Sequence, residues 1–121
     1  MDNFYKFDDI SYNPHTRELI KQRESIYLRR KVSEVLDILL KNRHRIVGRE
    51  ELLTSIWREG AIRENSLLQC VRELRQILGD NVQQPKYIKT YHTNGYQWID
   101  THIAIIETDN NTALEQVTTN I

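Results

Sequence analysis

The hydrophobic period of this chain changes near Arg30, and no other feature limits its fold as sharply. Before that point the apolar residues fall in short alternating runs, FYKF, ISYN, ELIKQ and SIYL, separated by Asp8-Asp9, Asn13-Pro14 and Arg23-Glu24. Alternation broken by turn residues every few positions predicts an antiparallel meander of short strands. After it, Val32, Val35, Leu36, Leu39 and Leu40 recur at helical spacing, with Glu34, Asp37, Lys41 and Arg43 outward. That pattern predicts a first helix ending near Asn42.

Two more helices follow. Gly48 precedes REELLTSIW, where Leu52, Leu53, Ile56 and Trp57 make an apolar stripe and Glu50 and Glu51 suit the first turn. Arg58 to Arg63 (REGAIR) breaks the period. In ENSLLQCVRELRQILGD, Leu67, Val71, Leu74 and Leu78 share one face, Asn65 or Ser66 can cap, and Gly79 is a stop, which predicts a third helix over about 66–78. Residues 86–98, KYIKTYHTNGYQW, place two β-rich runs around Asn94-Gly95, which predicts a hairpin with positive φ at that pair.

Charge is balanced in sum, 17 Lys and Arg against 17 Asp and Glu, but unevenly spread. Residues 29–49 carry seven Lys/Arg and two acids, whereas residues 100–121 carry four acids and no Lys or Arg. Only such a local field steers a polyanion. The longest apolar run is Ile103-Ala104-Ile105-Ile106, far short of the roughly 20 residues that span a bilayer. The start, MDNFYKFDDI, has no apolar core of a signal peptide. Cys70 is the one cysteine, so an internal disulfide is excluded. His15, His44, His92 and His102 show neither HExxH nor paired-cysteine spacing, and GxSxG and a phosphate-cradling glycine loop are lacking. The reading is therefore a non-enzyme with no metal and no cofactor.

With Leu67, Val71, Leu74 and Leu78 inward, the third helix turns Gln69, Arg72, Glu73 and Gln76 outward, with Leu68 and Arg75 on a flank. Arginine pairs bidentately with guanine, glutamine with adenine, and glutamate accepts from cytosine, so this face is chemically able to read base edges. At the hairpin, Lys89, Thr90, His92, Thr93 and Asn94 are donors suited to phosphate oxygens.

REELLTSIW, NSLLQCVRELRQILGD and PKYIKTYHTNGYQW together resemble the effector domain of OmpR/PhoB-type transcriptional regulators, most closely its ToxR/CadC-like branch. The resemblance implies an α+β winged helix-turn-helix, with an N-terminal antiparallel four-stranded sheet, three helices and a C-terminal β-hairpin wing. It implies sequence-specific binding of double-stranded promoter DNA, the third helix in the major groove and the wing (about 87–99) at the adjacent minor groove. Asn65, Gln69, Arg72 and Arg75 match positions near bases or phosphates, Thr90 and Tyr96 match backbone contacts of the wing, and Trp57 matches a position approaching the backbone. The loop Arg58 to Arg63 corresponds to a segment that touches RNA polymerase. Two departures stand out: Glu73 replaces a cation, and His92 stands where an arginine often enters the minor groove. Both reduce nonspecific affinity, which then leans on a homodimer or tandem pair, on a membrane-protein co-regulator, and on a basic patch at Arg43, Arg45 and Arg49.

The implied organisation is a DNA-binding domain over residues 1–100 and a linker or tail over 101–121, partly ordered at IAII, leading to a transmembrane segment outside this chain. The domain would face the cytoplasm, and the full-length protein would be anchored in the bacterial inner membrane. The rival function is a winged-helix protein-interaction module acting on a partner regulator or RNA polymerase, which Glu73, the neutral sum and the acidic tail favour.

Overall fold

The computed structural model describes residues 2–57 and 64–108. Its elements run β1 (Asp2–Phe7), β2 (Ile10–Asn13), β3 (Glu18–Lys21), β4 (Glu24–Tyr27), α1 (Arg30–Lys41), β5 (Val47–Gly48), α2 (Arg49–Ile56), α3 (Glu64–Leu78), β6 (Ile88–Tyr91), β7 (Gly95–Trp98) and β8 (Ile103–Thr108). They divide into two compact units, one from the first 28 residues with the segment after Thr101, the other from Arg29 to Thr101.

In the first unit the expected meander is present, and a fifth strand completes it in the order β4-β3-β2-β1-β8. Register sets Tyr5, Tyr12, Leu19 and Ile26 in one row across the four meander strands. Tyr5, Tyr12 and Leu19 are buried, as are Phe7 and Ile10, so strict alternation puts one apolar face inward. The Tyr5 and Tyr12 rings stack with centroids 6.4 Å apart. The β3–β4 turn has Gln22 and Arg23 both at positive φ, the twist that a two-residue hairpin favours. Asn13 organises the β2–β3 turn by accepting from the His15 and Thr16 amides.

The segment expected as a linker or tail is in part a strand. Residues 103–108 pair antiparallel with the whole of β1, from Asp2↔Thr108 to Phe7↔Ile103. The run IAII supplies β-branched side chains, and its partner lies at the opposite end of the sequence, where no local pattern reveals it. Residues 109–121 of that segment lie outside the described residues.

In the second unit α1 buries Val32, Val35, Leu36, Leu39 and Leu40 as expected, α2 buries Leu52, Leu53 and Ile56 but leaves Trp57, expected in the same stripe, half-buried at its C-terminal end, and α3 buries Leu67, Val71, Leu74 and Leu78 with Cys70 in addition. Each such side chain contributes about 1.5–3 kcal/mol on burial. The third helix starts at Glu64, so Asn65 and Ser66 lie in its first turn instead of capping it. Its end is a Schellman motif at Gly79 (φ 71): the Asp80 amide donates to the Arg75 carbonyl and the Gly79 amide to that of Gln76.

The hairpin β6–β7 gains an unexpected third strand, giving the order β5-β7-β6. Its turn also differs from the expected Asn-Gly pair. Tyr91 pairs with Gly95, the Asn94 amide donates to the Tyr91 carbonyl, and positive φ falls on Thr93 (67°) and Gly95 (153°). The tip is thus a three-residue loop, His92 to Asn94. Gly95 serves a different need: a Cβ there would lie 2.0 Å from the Val47 carbonyl oxygen, so β5 can pair with β7 only if residue 95 is glycine.

Candidate nucleic-acid interface

The outward face of α3 is built by its buried one. With Leu67, Val71, Leu74 and Leu78 inward, Asn65, Gln69, Arg72 and Gln76 fall on one exposed stripe, and none of these four side chains has a hydrogen bond or ion pair to a described residue. Leu68, 45% exposed, adds an apolar element to this face that the sequence pattern had left on a flank. Amides, a guanidinium and a methyl-bearing side chain together offer donors and acceptors for base edges and a contact for a thymine methyl.

Glu73 and Arg75 lie on opposite flanks of that stripe, each tied down. The Glu73 carboxylate takes a bidentate pair from Arg29, with Nη2 at 2.8 Å from Oε1 and Nε at 3.1 Å from Oε2. The hydrogen bond and charge of Arg29 hold the Glu73 carboxyl below the usual carboxylate range. The acid that departs from the family pattern is therefore neutralised within the chain. Arg75 is half-buried, and its Nη2 donates to the Ile88 carbonyl at 3.1 Å and to Thr90 Oγ1 at 2.6 Å. Burial lowers its pKa from the ordinary arginine value.

Trp57 closes α2, with the Lys31 ammonium 5.6 Å from its ring centroid. The same Nζ donates to the Ile56 carbonyl at 2.8 Å, satisfying a helix-end acceptor. Trp57, Asn65 and Gln69 come together with Arg29, Lys31, Ser66 and Cys70 around an open cleft of about 290 Å³. Burial pushes the Cys70 thiol up, consistent with a structural role.

On the wing, Lys89, Thr90, His92 and Asn94 are exposed, the last two at the tip. The Lys89 ammonium lies 4.9 Å from the Tyr91 ring centroid. Tyr96, read as a backbone contact, is only 4% exposed and sits in the middle of the three-stranded sheet, paired with Val47 and Thr90. The basic patch is partly compensated: Arg45 forks onto Glu51 at 2.7 Å and Asn42, and Arg43 donates to the Leu40 carbonyl.

The sequence reading missed Asp80. Its Oδ1 accepts from the Asn81 and Lys86 amides and its Oδ2 from those of Tyr87 and Ile88, so one carboxylate anchors the loop between α3 and the wing. An acid directly after a helix-ending glycine was the available signal.

Three helices, the third carrying an untethered polar stripe beside a three-stranded wing, define a winged helix-turn-helix of the DNA-binding class. The chain belongs to the family described as "Transcriptional regulatory protein, C terminal", which matches residues 22–98. It is 30% identical over 101 residues to the cholera toxin transcriptional activator of Vibrio cholerae, covering 79% of this chain and 34% of that one. The chain thus spans about a third of that relative's length. Its fold is that of the DNA-binding domain of E. coli CadC (TM-score 0.70, 18% identity, 87% of this chain and 96% of that one). It is also similar in fold to the Klebsiella pneumoniae RstA DNA-binding domain solved with the RstA box (TM-score 0.66, 24% identity, 79% and 96%).

Proposed function

We propose that this chain regulates transcription by binding double-stranded promoter DNA sequence-specifically, with α3 in the major groove and the β6–β7 wing at the adjacent minor groove. The observation that carries the reading is the α3 stripe. The Asn65, Gln69, Arg72 and Gln76 side chains are exposed together and have no bond to a described residue, while the charges flanking them do. Trp57 and Asn65 face the same cleft and would meet the sugar-phosphate backbone; Lys89, His92 and Asn94 would do so from the wing. The protein-interaction reading loses its main support, because Glu73 is paired with Arg29.

RNA polymerase is assigned by resemblance to residues 58–63, which lie outside the described residues, and dimer or tandem binding and a membrane co-regulator rest on the same resemblance. No helix among the described residues is long and apolar enough to cross a membrane, and inner-membrane anchoring stays part of the proposal.

The test is binding of the purified chain to labelled promoter fragments against random competitor from about 50 to 200 mM salt, where phosphate contacts produce a steep negative slope. Specific retention is expected, and Arg72→Ala should weaken it by about 1–3 kcal/mol without altering thermal stability. Retention by no fragment at the lowest salt, or undiminished retention by Arg72→Ala, overturns this placement of α3.

A further inference from the structure

We propose that Arg75 is a positioning residue that locks the wing to the third helix through Thr90 and the Ile88 carbonyl, and that it does not read a base. The inference rests on the DNA-binding reading above and reassigns one residue within it. A guanidinium has five N–H groups: one on Nε and two on each Nη. Both forks that grip a guanine edge or a phosphate bidentately, Nη1 with Nη2 and Nε with Nη2, require Nη2. In Arg75 the two Nη2 hydrogens are directed at two acceptors, the Ile88 carbonyl at 3.1 Å and Thr90 Oγ1 at 2.6 Å. Nε is buried without a hydrogen-bond partner among the described residues. Neither fork is available unless the bridge breaks. Arg72, one turn away on the exposed stripe, has none of its five donors bonded to a described residue, so the two arginines of VRELR divide the work: Arg72 reads and Arg75 holds.

The bridge lies where a positioning device is needed. Ile88 and Thr90 are on β6, the strand that carries Lys89 between them with its side chain on the opposite face. Fixing β6 against the last turns of α3 fixes the distance between the major-groove reader and the wing cation. On the other flank Arg29 grips Glu73, so α3 is held on both sides of its reading stripe.

The experiment measures affinity of the full chain for labelled duplexes recovered by the unaltered chain from a randomised pool, using Arg75→Ala, Arg75→Lys, Thr90→Val and the Arg75→Ala/Thr90→Val double variant. Failure of the unaltered chain to enrich any duplex refutes the DNA-binding reading itself, before any variant is compared. Given enrichment, Arg75→Ala and Arg75→Lys should lose affinity by about tenfold, Thr90→Val by a smaller but measurable factor because the bond to the Ile88 carbonyl remains, and the double variant should be no weaker than Arg75→Ala, because all act on one bridge. Thr90→Val and Arg75→Lys retain the positive charge and the packed stem, so they carry the test should Arg75→Ala fail to fold. A purely structural role is separated by Lys89→Ala. It should lower the salt slope by about 0.9 in the unaltered background and leave it unchanged when Arg75 is alanine, since a released wing no longer presents the lysine. The proposal is overturned if Arg75→Lys binds as the unaltered chain does while Arg75→Ala does not, the mark of a direct phosphate contact. It is equally overturned if Thr90→Val is neutral, if the two effects multiply, or if Lys89→Ala acts alike in both backgrounds.

Discussion

The two sheets of this protein are both antiparallel, yet they are held together differently. The five-stranded sheet depends on alternation: Tyr5, Phe7, Ile10, Tyr12 and Leu19 all point one way, and register follows from burying them. The three-stranded wing sheet has Val47, Ile88, Tyr96 and Trp98 buried, and in addition a set of polar anchors: Asp80 on four amides, Arg75 on β6, and a glycine that lets β5 approach. A strand pair that leaves Lys89, Thr90, His92 and Asn94 exposed keeps much of its surface in water, so specific hydrogen bonds take over part of the work that apolar burial does in the meander.

Four substitutions would sharpen that contrast. The largest effect is expected from Gly95→Ala, which places a Cβ 2.0 Å from the Val47 carbonyl oxygen at a positive φ of 153°. Overpacking and backbone strain together should remove about 3–5 kcal/mol, read by chemical denaturation, and should release β5 from β7. Leu19→Ala, at a fully buried site of the meander, should cost about 2–5 kcal/mol through its cavity alone, with no polar partner involved. If the meander were held by polar anchors as the wing is, this loss would be much smaller.

Asp80→Ala strips acceptors from the amides of Asn81, Lys86, Tyr87 and Ile88. Ile88 is buried, so its N–H loses its partner away from water, and a loss of about 1–3 kcal/mol is expected, with faster amide exchange at residues 86–88. An unchanged exchange pattern there would remove Asp80 from the account of the wing.

The smallest effect belongs to Glu73→Gln. Arg29 and Glu73 are 58% and 28% exposed, so solvent screening limits the pair to below about 1 kcal/mol. The sign follows from the Glu73 carboxyl, whose folded pKa lies below its unfolded value because of the Arg29 hydrogen bond and charge. Its stabilisation is present above the unfolded value of about 4.3 and disappears as pH falls through the lower folded value. Parallel thermal melts of the two proteins should differ slightly at neutral pH and converge in acid. A difference that persisted there would mean that Glu73 acts through something other than its charge.

Much of this architecture was legible in the chain because it depends on local periodicity. The helical stripes from Val32 to Leu40 and from Leu67 to Leu78, the alternating opening runs, and Asn42 and Gly79 as helix ends are all encoded within a few residues of where they act. The exposed face of α3 followed from the buried one by the same rule, which is why Gln69, Arg72 and Gln76 were identified together.

What tertiary structure alone decided were pairings between residues distant in sequence. The strand at 103–108 is defined by β1, about a hundred residues away, and no periodicity links IAII to DNFYKF. The roles of Glu73 and Arg75 turn on Arg29 and Thr90, and the burial of Tyr96 on a two-residue strand at Val47. A sequence gives the chemistry of a side chain and the face it starts from; whether its donors remain available to a ligand depends on which acceptors the fold brings within about 3 Å.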